Sequence, residues 1–128
     1  MPDDLSLPPV EALREAQRLL DADRPFHAHE VLEAAWKAAP EAERELWRGL
    51  AQVAVGITHV RRGNPRGAKA LLERAADRIE PYGTEDTPYG VDVPGIVAEA
   101  RSLAEKAAEG SDIPVRVRLC ATRDQRDV

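Results

Sequence analysis

Two histidines, a carboxylate, an amide and a tryptophan are spaced so that they could share one site. The stretch FHAHEVLEAAW places His29, Glu33 and Trp36 within about 60° of one another on a helical wheel at 100° per residue. Gln52 and His59 follow at helical spacing in the next apolar segment. The predicted cleft consists of His29, Glu30, Glu33, Trp36, Gln52 and His59.

Several kinds of chemistry are open to this set. The residues His29, Glu33 and His59 are a possible ligand set for a catalytic divalent metal ion, with Glu30 or Gln52 positioning a water molecule. A carboxylate that orients an imidazole is an acid/base pair. A polar network that hydrogen-bonds across helices and sets their register needs no ligand. The spacing His-Glu-x-x-Glu differs from the zinc-protease motif, and no nucleophile motif or phosphate-binding glycine loop accompanies it.

Gly49 and Gly56 flank Gln52 and share a stripe with His59. Glycine costs about 1 kcal/mol relative to alanine inside a helix, so two of them indicate close approach by another backbone. If that backbone belongs to the second helix, the stripe brings Gln52 and His59 into the predicted cleft.

The elements that must position these residues are helices. Alanine, leucine, glutamate and arginine dominate, and apolar residues recur at spacings of three and four, so an all-α domain is predicted. The predicted helices cover residues 9–22, 25–39, 41–62, 65–79 and 94–109. The third is the longest and forms the centre of the core. Gly63 suits the position after its last turn, and Asn64 suits the N-cap of the fourth.

A shift of 40 residues aligns five residues of the second helix with identical residues of the fourth. The predicted architecture is therefore a compact array of about five helices, with two stacked hairpins somewhat like tetratricopeptide units. We expect a flexible N-terminus at residues 1–8, one helical domain at 9–110 and an extended tail at 111–128. Residues 80–94, rich in proline and glycine, are predicted to form a long surface loop that could have a role of its own.

Composition excludes several classes of function. A chain of 128 residues with 43% hydrophobic and 32% charged residues is typical of a single globular domain. The net charge of −5 argues against binding to nucleic acid or to anionic membranes. A single cysteine, Cys120, and the lack of a signal peptide or an apolar segment of about 20 residues favour the cytoplasm.

A possible anion site lies where the fourth helix begins. Arg62, Asn64 and Arg66 stand beside a helix N-terminus, where backbone amides attract negative charge. The dipole of the preceding helix also accounts for Arg62 without any ligand.

The same residues resemble a known family of small bacterial and archaeal helical proteins, domain of unknown function 309. The similarity covers roughly residues 19–79, and the first block matches the motif His-Glu-x-x-Glu-x-x-Trp at His29, Glu30, Glu33 and Trp36. The second block matches at Gly49, Gln52, His59, Arg62, Gly63, Asn64 and Gly67. The resemblance implies a multi-helical array and supports the histidine, glutamate and glutamine set. It implies no activity, because the family is itself uncharacterised.

These observations lead to two hypotheses about function. The first is a binding or interaction module whose cleft holds a small ligand or a protein partner. The alternative is a metal-dependent, hydrolase-like enzyme with a divalent metal cofactor held by His29, Glu33 and His59. Assembly into a homo-oligomer is compatible with either.

Overall fold

The computed structural model of the protein describes residues 7–84 and 86–120. Its α-helices are α1 (Pro9–Asp21), α2 (Pro25–Ala38), α3 (Glu41–Arg61), α4 (Pro65–Ile79) and α5 (Val93–Lys106). Short 3₁₀ turns occupy Glu80–Tyr82, Pro88–Gly90 and Ala107–Glu109. The predicted all-α class is confirmed, and each helix begins within one residue of its predicted start. No helix in the described part of the chain combines the length and the apolarity that a bilayer crossing requires.

The helices pack in the order in which they follow one another along the chain. The central helix α3 contacts α2 on one side and α4 on the other, while α1 packs on α2 and α5 packs on α4. The core contains a completely buried leucine from each of the three middle helices: Leu32 of α2, Leu50 of α3 and Leu72 of α4. Burying a leucine side chain stabilises the fold by about 1.5–3 kcal/mol. The likeness to stacked tetratricopeptide hairpins stays a prediction.

The turn between α3 and α4 is built from residues suited to helix ends. Gly63 has a φ of +74°, a left-handed conformation that glycine adopts without the steric penalty of a side chain. The Asn64 side chain then accepts a hydrogen bond from the Gly67 backbone amide at 3.2 Å. This cap satisfies one of the free amides at the start of α4. The turn thereby sets the angle at which α4 returns along α3.

Residues 111–120 lie outside the helices, and part of this segment contacts α1. The Gln17 side chain of α1 donates to the Val117 carbonyl at 3.0 Å and accepts from the Leu119 amide at 2.7 Å. Val91 forms an isolated antiparallel bridge with Cys120 and is only 5% exposed, so the predicted surface loop includes a buried residue. Residues 1–6 of the predicted flexible N-terminus and residues 121–128 of the predicted tail lie outside the described part of the chain.

Candidate functional site

A cleft of about 180 Å³ lies between α2 and α3. It is lined by His29, Glu33, Trp36, Arg48, Ala51, Gln52 and Val55. The structure thus brings together four of the predicted residues, because helical periodicity places three of them on one face of α2. We refer to it below as the α2–α3 cleft.

The two helices of the cleft run in opposite directions. The Arg62 guanidinium lies over the Phe26 ring at one end, 5.7 Å from its centre. At the other end the guanidiniums of Arg44 and Arg48 lie 5.7 and 5.6 Å from the centre of the Trp36 ring. An aromatic ring in contact with arginine therefore stands at each end of the α2–α3 pair.

His29 and Glu33 form a loose pair inside the cleft. The His29 Nε2 atom is 3.6 Å from a Glu33 carboxylate oxygen, beyond hydrogen-bond distance, and Lys37 Nζ is 3.9 Å from the other oxygen. The carboxylate favours the tautomer with hydrogen on Nε2, which makes Nδ1 an acceptor. Nδ1 is buried and finds no donor among the described residues, a state that costs about 1–3 kcal/mol. His29 is therefore not held by a complete hydrogen-bond network within the fold.

The end of the cleft at Trp36 is positively charged, because two arginines lie over the tryptophan ring. Trp36 is half-buried, and Arg44 and Arg48 lie within cation–π distance of its ring. Within the described residues neither arginine has a carboxylate partner or a hydrogen bond. The sequence prediction did not include these arginines in the site. The sequence did contain a pattern that indicates them: Arg44, Arg48 and Gln52 are spaced four residues apart, which places them on one face of the helix.

The orientation of Gln52 is set from the opposite side of α3. Its carbonyl oxygen accepts a hydrogen bond from Arg78 Nε of α4 at 3.1 Å. Because arginine only donates, the oxygen of the amide must face Arg78. The amide nitrogen of Gln52 is therefore the group left to donate to a molecule in the cleft.

His59 does not join the α2–α3 cleft. Its Nδ1 atom lies 3.0 Å from the Asn64 amide nitrogen and next to Gly67, at the start of α4. Across residues 7–84 and 86–120, no group of three histidine, cysteine, aspartate or glutamate side chains could hold a metal ion. The structure thus does not assemble the predicted ligand set of His29, Glu33 and His59. Glu30, also predicted for the cleft, is exposed and does not line it.

Both stripe glycines face α4 rather than α2. A Cβ atom added at Gly49 would lie 2.5 Å from Ile79 Cγ1, and one at Gly56 would lie 2.6 Å from Leu72 Cγ. The assumption that α2 is the close neighbour of this stripe is therefore wrong. The glycines let α3 and α4 approach closely, which is why His59 turns toward α4.

The three residues of the predicted anion site have separate environments. Asn64 caps α4, Arg62 lies over Phe26, and Arg66 is exposed. Each contact is accounted for by local structure. The anion site stays a prediction.

Sequence comparison tests the family resemblance. Residues 13–71 match the sequence model of a family described as "Domain of unknown function (DUF309)". The predicted resemblance is confirmed. The DUF309 match begins within α1 and ends within α4, so it contains every residue that lines the α2–α3 cleft.

The chain is also similar to a protein of Bacillus subtilis (strain 168) described as "Uncharacterized protein YpuF", with 46% identity over 48 residues. This match covers 37% of the present chain and 28% of the Bacillus protein, so less than a third of that relative is represented. No solved structure is significantly similar to the chain. The comparisons show that residues 13–71 are similar to the DUF309 family model, and they assign no activity.

Proposed function

We propose that the protein is a binding module whose α2–α3 cleft receives an acidic side chain of a protein partner. The size of the cleft supports a side chain rather than a complete small molecule. Pockets that enclose small ligands have volumes of about 300–1,000 Å³, and the cleft measures about 180 Å³. A single carboxylate-bearing side chain fits a space of this size.

The observation that carries the proposal is the pair of arginines on Trp36. Arg44 and Arg48 lie over the ring without a carboxylate partner in the described structure. Tryptophan and arginine are the residue types that most often dominate the energy of protein interfaces. A carboxylate supplied by a partner would complete the charge balance with charge-assisted hydrogen bonds.

The remaining lining residues position that carboxylate. The amide nitrogen of Gln52 is free to donate, whereas Glu33 would repel an acid. Lys37, whose Nζ atom lies 3.9 Å from the Glu33 carboxylate, partly offsets that charge, so the favourable position is the end of the cleft next to Trp36 and Arg48. Phe26, 44% exposed beyond the other end, offers an apolar contact for the same partner segment.

The metal-dependent alternative lacks its third ligand, because His59 is turned toward α4. We therefore favour the binding module over the hydrolase. We further propose a cytoplasmic location, which rests on the single cysteine.

Selection from a displayed library of random peptides tests the proposal. We expect enrichment of peptides with an aspartate or glutamate beside an apolar residue. Exchange of Arg48 for alanine should lower the affinity of these peptides for the protein at least about fivefold, which corresponds to about 1 kcal/mol. The matched control is Arg14→Ala, which removes an exposed arginine from α1.

Two outcomes would count against the binding module. One is a selection that enriches no peptide over several rounds. The other is a set of enriched peptides that bind wild-type protein and the Arg48→Ala variant equally. Preference for peptides without an acidic residue would reject the proposed chemistry of the partner.

A further inference from the structure

A larger cavity of about 520 Å³ lies between α3 and α4. It is lined by Glu45, Arg74, Asp77, Arg78, Pro81 and Tyr82. The spacing of three and four residues places most of these on one face of α4 and the 3₁₀ turn that follows it. Unlike the α2–α3 cleft, this α3–α4 cavity falls within the volume range of about 300–1,000 Å³ that small molecules occupy.

One wall of the cavity is apolar and fixed in position. The Tyr82 hydroxyl donates to the Ala42 carbonyl at 2.7 Å, which ties the 3₁₀ turn to the beginning of α3. Pro81 stands next to it, and its ring restricts the backbone of the turn. A planar apolar group could therefore pack on this wall without ordering a mobile segment.

The carboxylates of the cavity are already paired. Glu45 forms an ion pair with Arg78, whose Nε atom also donates to Gln52. Asp77 accepts a charge-assisted hydrogen bond at 3.0 Å from Arg101 of α5, which also pairs with Glu80. The fourth charged residue, Arg74, has no ion pair or hydrogen bond to any residue that the structure describes. Arg74 is thus the guanidinium of the cavity lining that is left to pair with an anion.

We propose that the α3–α4 cavity binds a small molecule in which one carboxylate or phosphate group is joined to an aromatic ring directly or through a short link. The anion pairs with Arg74, whose planar guanidinium suits two-point contact with either group. The ring packs on Pro81 and Tyr82. The proposal does not rest on the α2–α3 cleft, because Arg74, Pro81 and Tyr82 do not line that cleft.

Titration of isotope-labelled protein by nuclear magnetic resonance tests the site. The probes are phenylacetate and phenyl phosphate, with the neutral 2-phenylethanol and the cationic 2-phenylethylamine as matched controls. We expect both acids to shift the backbone amide signals of Asp77, Arg78 and Tyr82 with dissociation constants of about a millimolar or below. The neutral and cationic probes should bind at least about fivefold more weakly.

Two variants of Arg74 separate charge recognition from general adsorption. Arg74 is exposed, so Arg74→Ala should leave the fold intact while weakening both acids at least about fivefold. Arg74→Glu should reverse the preference toward 2-phenylethylamine. Arg14→Ala should change nothing. The proposal is overturned if the acids cause no shifts at the cavity, if 2-phenylethanol binds equally well, or if Arg74→Ala binds like wild type.

Discussion

Replacement of Gly56 by alanine tests how closely α3 and α4 approach. The new Cβ atom would lie 2.6 Å from Leu72 Cγ and 2.7 Å from one of its methyl groups. Ordinary contacts between carbon atoms begin at about 3.5 Å, so Leu72 must retreat by nearly 1 Å. Leu72 is completely buried, and its branch point cannot move without displacing other core atoms.

Two opposing terms set the expected magnitude. Alanine improves helix propensity over glycine by about 1 kcal/mol. Overpacking a close-packed core costs about 1–3 kcal/mol. We therefore expect Gly56→Ala to lower the free energy of unfolding by about 1 kcal/mol, although the same exchange on an exposed helix surface would raise it.

Chemical denaturation of four variants measures both terms. Ala70→Gly, at an exposed position of α4, measures the propensity term within this protein. Leu72→Ala removes the clashing side chain, so adding Gly56→Ala to it should stabilise the chain rather than destabilise it. The close approach of α3 and α4 would be refuted if Gly56→Ala stabilised wild-type protein by the full propensity term, or if its effect were the same with and without Leu72.

Three further predictions concern single contacts. His29→Leu removes a buried nitrogen that has no hydrogen-bond partner among residues 7–84 and 86–120, so the free energy of unfolding should stay level or rise by about 1 kcal/mol. A loss above about 2 kcal/mol in thermal or chemical denaturation would mean that His29 belongs to a satisfied hydrogen-bond network. Asn64→Ala removes the N-cap of α4 and should lower the free energy of unfolding by about 1 kcal/mol in the same assay. An unchanged denaturation midpoint would show that the cap does not contribute to stability. Hydrogen bonds and charge from Arg101 lower the pKa of Glu80 below its ordinary value of 4.5. The resulting stabilisation is present above that pH and lost as the pH falls through the lowered pKa, so the melting temperatures of wild type and Arg101→Ala should converge in acid; a constant difference would contradict the pairing.

The helices were predictable because their ends carry local signals. Proline at the first turns of α1, α2 and α4, and Gly63 after α3, act through backbone geometry that needs no knowledge of tertiary contacts. The apolar spacing likewise follows from helical period alone. The all-α fold class and the ends of the helices could therefore be predicted from residues that are close together in the sequence.

The pairing of helix faces was not accessible in the same way. A wheel shows that Gly49 and Gly56 share a stripe, but it does not show which helix packs on it. The structure assigns that stripe to α4 and thereby removes His59 from the cleft. Contacts between distant segments, such as Gln17 with Val117 and Leu119, depend on the assembled fold and leave no local pattern.

The two arginines on Trp36 illustrate the same limit at the site. The sequence shows the spacing of Arg44 and Arg48. It does not show that they lack an ion-pair partner, because that depends on where the neighbouring carboxylate of Glu45 is bound. Glu45 lies one residue from Arg44 in sequence, yet in the structure it pairs with Arg78 of α4. Which charges remain unpaired is a property of packing between α3 and α4.

A double-mutant cycle tests whether the α2–α3 cleft recognises an acidic side chain. An enriched peptide and its twin with asparagine or glutamine in place of the acid would be titrated by calorimetry into wild type and Arg48→Ala. We expect a coupling energy of at least about 1 kcal/mol between the peptide acid and Arg48, and we expect this energy to decrease as the salt concentration rises. Equal losses in both proteins, with no coupling, would contradict it.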